Sequence, residues 1–203
     1  MAKKILGIVG SYRKGGVIDA LVSEVLAAAQ EQGAQTEKIY LIDRHIEFCT
    51  NCRACTQDPG TEPPPCVLHD DMAQILTQCR QAEGLVLGAP VNFYNVNALT
   101  RRFMERLICF AYWPWNSHKG PAMRTKARDK KAVLVTATAM PAILGRLLTG
   151  APRALKLTAQ TLGARPMATV FIGLTAQQQK EALSTGARQK ARQAGRKLAA
   201  SLN

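Results

Sequence analysis

The feature that most constrains this chain is an alternation of short apolar runs with stretches of helical spacing. Ile5 to Val9, Gly84 to Leu87, Ala132 to Thr136 and Met167 to Ile172 are nearly continuous apolar runs, and Thr36 to Ile42 has strand-like spacing behind a polar start. Between them, Ile18, Leu21, Val22, Val25, Leu26 and Ala29 recur at three and four, as do Val96, Leu99, Phe103, Leu107 and Phe110. That spacing puts one apolar stripe on a helix. Further helices are expected after Asp70-Asp71, over 142–162, and where Leu183, Ala187, Ala191, Ala194 and Leu198 align. Strands without polar alternation are covered on both faces. With right-handed crossovers, five strand and helix alternations predict an α/β chain built as a doubly wound, five-stranded parallel sheet. Residues 1–203 read as a single domain without repeat or linker.

Several classes of function drop out. The longest apolar stretch, Ala132 to Leu144, carries Thr136, Thr138 and Pro141 and falls short of the ~20 residues of a membrane span. Ile5 to Val9 is shorter than the ~7–15 residues of a signal-peptide core, so a cytoplasmic protein that does not enter membranes is expected. His45, His69 and His118 are scattered, with no Ser/His/Asp or zinc-protease spacing. Hydrolase chemistry therefore has no support in the sequence.

The net charge of +13 is uneven: residues 1–100 hold 8 basic and 11 acidic side chains, residues 101–203 hold 19 and 3. A basic half points to an anionic partner or to a solvated cationic face. Nucleic acid ranks second as that partner, because Arg165 to Asn203 contains only Phe171 as an aromatic residue.

Ligands of an open parallel sheet bind beyond the carboxyl ends of its strands, which directs attention to the loops beginning at Gly10, Ala89 and Ala137. Gly10-Ser11-Tyr12-Arg13-Lys14-Gly15-Gly16 joins a strand to a helix start and offers amide hydrogens, a hydroxyl and two cations. These groups suit a phosphate, or form an ordinary glycine-rich turn. Neither the Walker pattern nor Gly-x-Gly-x-x-Gly is present.

Periodicity vanishes over 43–69, an insertion loop that holds Cys49, Cys52, Cys55 and Cys66. Three thiols at spacings of three and a fourth eleven further on can converge on one [4Fe–4S] cluster. Structural zinc more often uses two separated Cys-x-x-Cys pairs. Free thiols or a reversible disulfide are the alternative. Cys79 and Cys109 fall within helical patterns and read as small buried hydrophobes.

The loop at Gly10–Gly16, the block Gly88-Ala89-Pro90-Val91-Asn92-Phe93-Tyr94-Asn95-Val96, and Arg101-Arg102-Phe103-Met104-Glu105-Arg106 together resemble successive signatures of the flavodoxin-like NADPH-dependent FMN reductase family, including its iron–sulfur flavoprotein branch. The resemblance implies strand order 2-1-3-4-5. It also implies FMN, its phosphate held by Ser11, Arg13, Lys14, Gly16, Val17 and Ile18. The isoalloxazine would be bordered by Pro90, Val91, Asn92, Phe93, Tyr94 and Asn95, with Thr138 and Ala139 at its other edge. Where the family commonly has Asn and Thr, this chain has Val17 and Ile18, which leaves only backbone donors there. The implied activity is NAD(P)H oxidation with electrons passed to a quinone, flavin, metal or protein acceptor, in a homodimer or homotetramer. Two alternatives stand beside it: an iron–sulfur electron-transfer module without its own NAD(P)H turnover, and a flavin-free domain that binds nucleic acid or protein.

Overall fold

A computed structural model describes residues 2–177 and 182–202. Its elements are β1 (Lys4–Val9), α1 (Val17–Gln30), β2 (Gln35–Tyr40), α2 (Met72–Gln81), β3 (Gly84–Asn92), β4 (Asn95–Val96), α3 (Ala98–Glu105), β5 (Ala111–Tyr112), β6 (Ala122–Met123), β7 (Lys130–Ala137), α4 (Ala142–Leu148), α5 (Ala151–Thr161), β8 (Ala164–Ile172) and α6 (Thr185–Ala200). Short 3₁₀ turns lie at Leu41–Asp43, Ala54–Thr56 and Arg106–Phe110. The main strands pair in the order β2-β1-β3-β7-β8, all parallel. This is the doubly wound parallel sheet expected from the alternation, in the order 2-1-3-4-5 that the family resemblance implies.

Strand alternation divides the core in two. Leu6, Ile8, Leu85, Leu87 and Leu134 face α2, α3 and α5, whereas Ile5, Val9, Val86, Val133 and Val135 face α1 and α6. Each large side chain so buried contributes about 1.5–3 kcal/mol, which explains why these strands carry no polar alternation. The edge strand β2 is only half-buried, so its sequence has the polar start. Helix α6 begins where Ser184 Oγ accepts from the Ala187 amide at 3.2 Å. Its Gly195 lies so close to α1 that an added Cβ would sit 2.1 Å from the Val25 carbonyl oxygen.

Four local features differ from the periodicity. The helical stretch at 142–162 is two helices, because Thr149 and Gly150 interrupt it. The helix expected through Phe110 ends at Glu105 and tightens into a 3₁₀ turn. The strand beginning at Gly84 continues to Asn92 and turns back through Phe93 and Tyr94 into β4, in a two-residue hairpin. A second short hairpin, β5–β6, forms inside the aromatic and basic connection. Among the described residues, no helix is long and apolar enough to cross a membrane.

Candidate cofactor crevice and cysteine cavity

A crevice of about 890 Å³ opens at the carboxyl ends of β1, β3 and β7, within the ~300–1,000 Å³ of small-molecule sites. Its first wall is the loop from Ser11 to Ile18. Gly10 anchors that loop in a narrow place. Its amide donates to the Gly88 carbonyl at 2.7 Å, and its carbonyl accepts from Asn97 Nδ2 at 2.7 Å and Thr100 Oγ1 at 3.1 Å. An added Cβ would lie 2.1 Å from Thr100 Oγ1, so only glycine fits. Tyr12 Oη accepts from the Leu99 amide at 3.2 Å, so α3 fixes the loop at a second point. The Ser11 hydroxyl, largely buried, accepts from the Arg13 amide at 3.1 Å.

The amino end of α1 faces this space. Gly16 occupies the cap position and no side chain caps the helix, which leaves first-turn amides oriented toward an anion. Ile18 is buried in the core between α1 and the sheet, and Val17 packs partly against it. Their side chains serve packing, and their amides remain as donors. Asp19, in the same turn, points away from the crevice. Its carboxylate accepts from the Gly15 amide at 2.7 Å, Lys38 Nζ at 2.8 Å and Tyr40 Oη at 3.1 Å. Burial alone would raise the Asp19 pKa, but Lys38, the Gly15 amide and Tyr40 outweigh it and hold the group below the ordinary carboxylate range. Lys38 offsets a charge that would otherwise repel an anion at this helix end. Sequence reasoning did not single out Asp19; its place in the turn behind the glycine loop was the available signal.

The second wall is Pro90, Val91 and Asn92, and the third is Ala137, Thr138 and Ala139. Thr138 is pinned by its amide to the Ile172 carbonyl, and its own carbonyl accepts the Thr175 amide and hydroxyl at 3.1 and 3.0 Å. The structure thus adds Thr175, Ala176 and Ala182, from the connection after β8, to the lining. Phe93, Tyr94 and Asn95 do not line the crevice. They form the hairpin beside it, with Phe93 fully exposed and the Gly150 amide donating to the Tyr94 carbonyl at 2.8 Å. Lys14 lines the crevice, yet its Nζ bonds Asp43 Oδ2 at 2.6 Å and lies 5.1 Å from the centre of the Tyr40 ring.

Cys49, Cys52, Cys55 and Cys66 all line one small enclosed cavity, and Cys109 joins them in its wall. All are free thiols. Burial pushes the Cys55 thiol up, and the neighbouring Cys66, Cys49 and Cys52 add to the shift. Among the described residues, no three His, Cys, Asp or Glu side chains are close enough to hold a single metal ion. Four thiols around one cavity are the donor set of a polynuclear iron–sulfur cluster.

Three arginines hold this loop. Arg124 donates from Nε to the Cys109 carbonyl at 2.8 Å, from Nη1 to Asp58 at 2.8 Å and Gly60 at 3.1 Å, and from Nη2 to Cys55 at 2.9 Å. Arg53 adopts a left-handed backbone with φ 58° and lays its guanidinium 3.6 Å from the Trp113 ring centre and 4.0 Å from that of Trp115. Arg106 is buried against Asp70, whose carboxylate also accepts the Glu47 amide at 2.8 Å and the Met72 amide at 3.0 Å. Asp71 accepts the His45 amide at 2.9 Å. The two carboxylates before α2, expected only to favour a helix start, therefore also close the neck of the cysteine loop.

Residues 3–177 match the model of a family described as NADPH-dependent FMN reductase. Among curated proteins, an iron–sulfur flavoprotein of Methanocaldococcus jannaschii is 37% identical over 103 residues, 51% of each chain. One of Methanosarcina thermophila is 31% identical over 105 residues, 52% of each. The chain spans about half the length of these curated relatives. Among solved structures, an azoreductase of Bacillus anthracis superposes with a TM-score of 0.70 at 17% identity, covering 96% of this chain and 99% of that one, a likeness of fold.

Proposed function

Because the chain belongs to the NADPH-dependent FMN reductase family, we propose that it is an FMN-dependent oxidoreductase, using NAD(P)H as hydride donor and a quinone, flavin, metal or protein as electron acceptor. The observation that carries the reading is the end of α1 without a side-chain cap, directed into the crevice at the carboxyl edge of the sheet. FMN held there would supply the redox chemistry, hydride uptake from a nicotinamide and one- or two-electron release. The residues supply the rest. The Val17 and Ile18 amides, Ser11 and Arg13 hold the phosphate. Pro90 and Val91 give the ring an apolar wall, and Thr138 with Ala139 limits water at the opposite edge. No side chain needs to move a proton at a defined atom.

Cys49, Cys52, Cys55 and Cys66 fit a [4Fe–4S] cluster as ligands, and the surrounding guanidinium groups suit its negative charge. Iron–sulfur flavoproteins among the relatives support this reading. The enclosed cysteine cavity also favours a second role, electron relay to a partner without NAD(P)H turnover. The exposed apolar face of α4, with Ile143 75% and Leu147 76% accessible, provides a surface for a second copy. A homodimer or homotetramer in the cytoplasm is the proposed form.

Anaerobic purification with flavin and iron analysis tests the assignment. One FMN per chain, iron lost together with cluster absorption in Cys49→Ser, and rapid NADPH oxidation support the full reading. Iron without NADPH oxidation selects the relay. Colourless protein that gains no flavin bands with added FMN overturns both.

A further inference from the structure

We propose that a second ligand site lies on the outer side of the cysteine cavity and takes a small amphiphile with an apolar body and an anionic head. A groove of about 570 Å³ runs between α3, the following 3₁₀ turn, α5 and the β5–β6 hairpin. Its surface is mainly apolar, with Leu107, Ile108, Met123 and Leu157 prominent. Cys49 and Asn51 line both this groove and the cysteine cavity, so one sulfur is shared between them.

The other end supplies the charge. Met123 also forms a wall of an adjoining recess whose remaining lining is Ala122, Lys126, Arg128 and Arg165. Among the described residues, none of these three cations is in a salt bridge. Glu105 is the acidic residue of the apolar part. An anionic head is therefore repelled there and attracted toward the three cations, while the body covers the apolar surface. The volume suits a small molecule. A second copy docking here about a two-fold axis would put two copies of this cationic recess into one interface, which opposes that occupant.

The ligand class follows from Cys49. If the cluster and flavin readings hold, an acceptor in this groove lies one protein sulfur from the electron source. A sulfonated or carboxylated quinone is the simplest such molecule. It becomes the hydroquinone by gaining two electrons and two protons; NAD(P)H gives a hydride and solvent the second proton. Binding itself requires neither reading.

The test titrates the purified protein, without reductant, with 9,10-anthraquinone-2-sulfonate and with neutral 2-(hydroxymethyl)anthraquinone, neither of which offers an open enone carbon to the free thiols, followed by calorimetry. The sulfonate is expected to bind about tenfold tighter at low salt, an advantage that shrinks as salt rises. The double variant Arg128→Glu/Arg165→Glu should remove the advantage and leave neutral quinone affinity within about twofold. Leu157→Glu, at a half-exposed position, should weaken both probes. The proposal is overturned if the sulfonate has no preference, if the double variant keeps it, if added FMN displaces the probe, or if neither probe binds. Protein that takes up no added FMN yet binds the sulfonate as described defeats the flavin reading but keeps this site. Flavin-loaded, active protein that ignores it has the reverse meaning.

Discussion

Arg106 and Asp70 meet in a buried bidentate ion pair, their side chains 2% and 1% exposed, at the neck of the cysteine loop. Arg106 also donates to the Glu47 carbonyl at 2.9 Å, so one guanidinium ties the start of the loop, its end and the segment after α3 together. Removing one partner leaves a buried charge alone. Arg106→Met is expected to cost about 3–5 kcal/mol, measured by denaturant unfolding, with Arg106→Lys intermediate. An unchanged midpoint for the Met variant contradicts the role.

The same pair sets a response to acid. Burial would raise the Asp70 pKa, but Arg106 and the Glu47 and Met72 amides together hold it below its ordinary value. A depressed native pKa contributes stability that is complete above the unfolded carboxylate value and is lost as pH falls through the lower native one. Protection of the cysteine-loop amides in hydrogen exchange should therefore fall below about pH 4. Loss between pH 6 and 8 would be the wrong direction for this group.

In the flavin reading, Arg13→Ala should weaken FMN more than Lys14→Ala, because a planar guanidinium matches two phosphate oxygens at once, while the Lys14 ammonium bonds Asp43. A flavin titration in which Lys14→Ala changes affinity by less than about threefold fits an exposed pair worth under about 1 kcal/mol. Equal losses in the two variants would reassign Lys14 to the phosphate.

Gly10→Ala forces a methyl group against Thr100 Oγ1. Overpacking of this kind costs about 1–3 kcal/mol, and here it also displaces the loop that forms the first crevice wall. Lower stability together with weaker FMN binding is expected. The double variant Gly10→Ala/Thr100→Ala, which makes room for the methyl group, should recover part of the stability. No recovery would place the strain elsewhere.

The sheet was legible because burial on both faces writes itself into strands as continuous hydrophobicity, and α1 and α6 because each packs one stripe. Short elements left no such trace. The two residues of β4 and the β5–β6 hairpin are too brief to show a period, and Gly150 inside an otherwise helical run does not announce whether it bends or breaks the chain. The glycine loop and cysteine spacing pointed to residues that the fold brings together: Ser11 with Pro90 and Thr138, and Cys49 with Cys66. Thr175 and Ala176 carry no motif. Their signal was position alone, directly after the fifth main strand at the same sheet edge. Arg124 was similarly hidden, and Arg106, though inside the third quoted block, gave no sign of its partner, since a guanidinium that gathers distant oxygens looks in sequence like any other surface charge.

The turn between β3 and β4 places Phe93 and Tyr94 at φ 46° and 63°, where Asn-Gly is the ordinary choice. Each such non-glycine residue costs on the order of 1–2 kcal/mol. A stabilising redesign would write Asn-Gly here and obtain a sturdier corner, while erasing two aromatic rings from the rim. The chain carries the less comfortable pair; in the flavin reading, this corner is where gains in heat resistance and grip on the ring should part company.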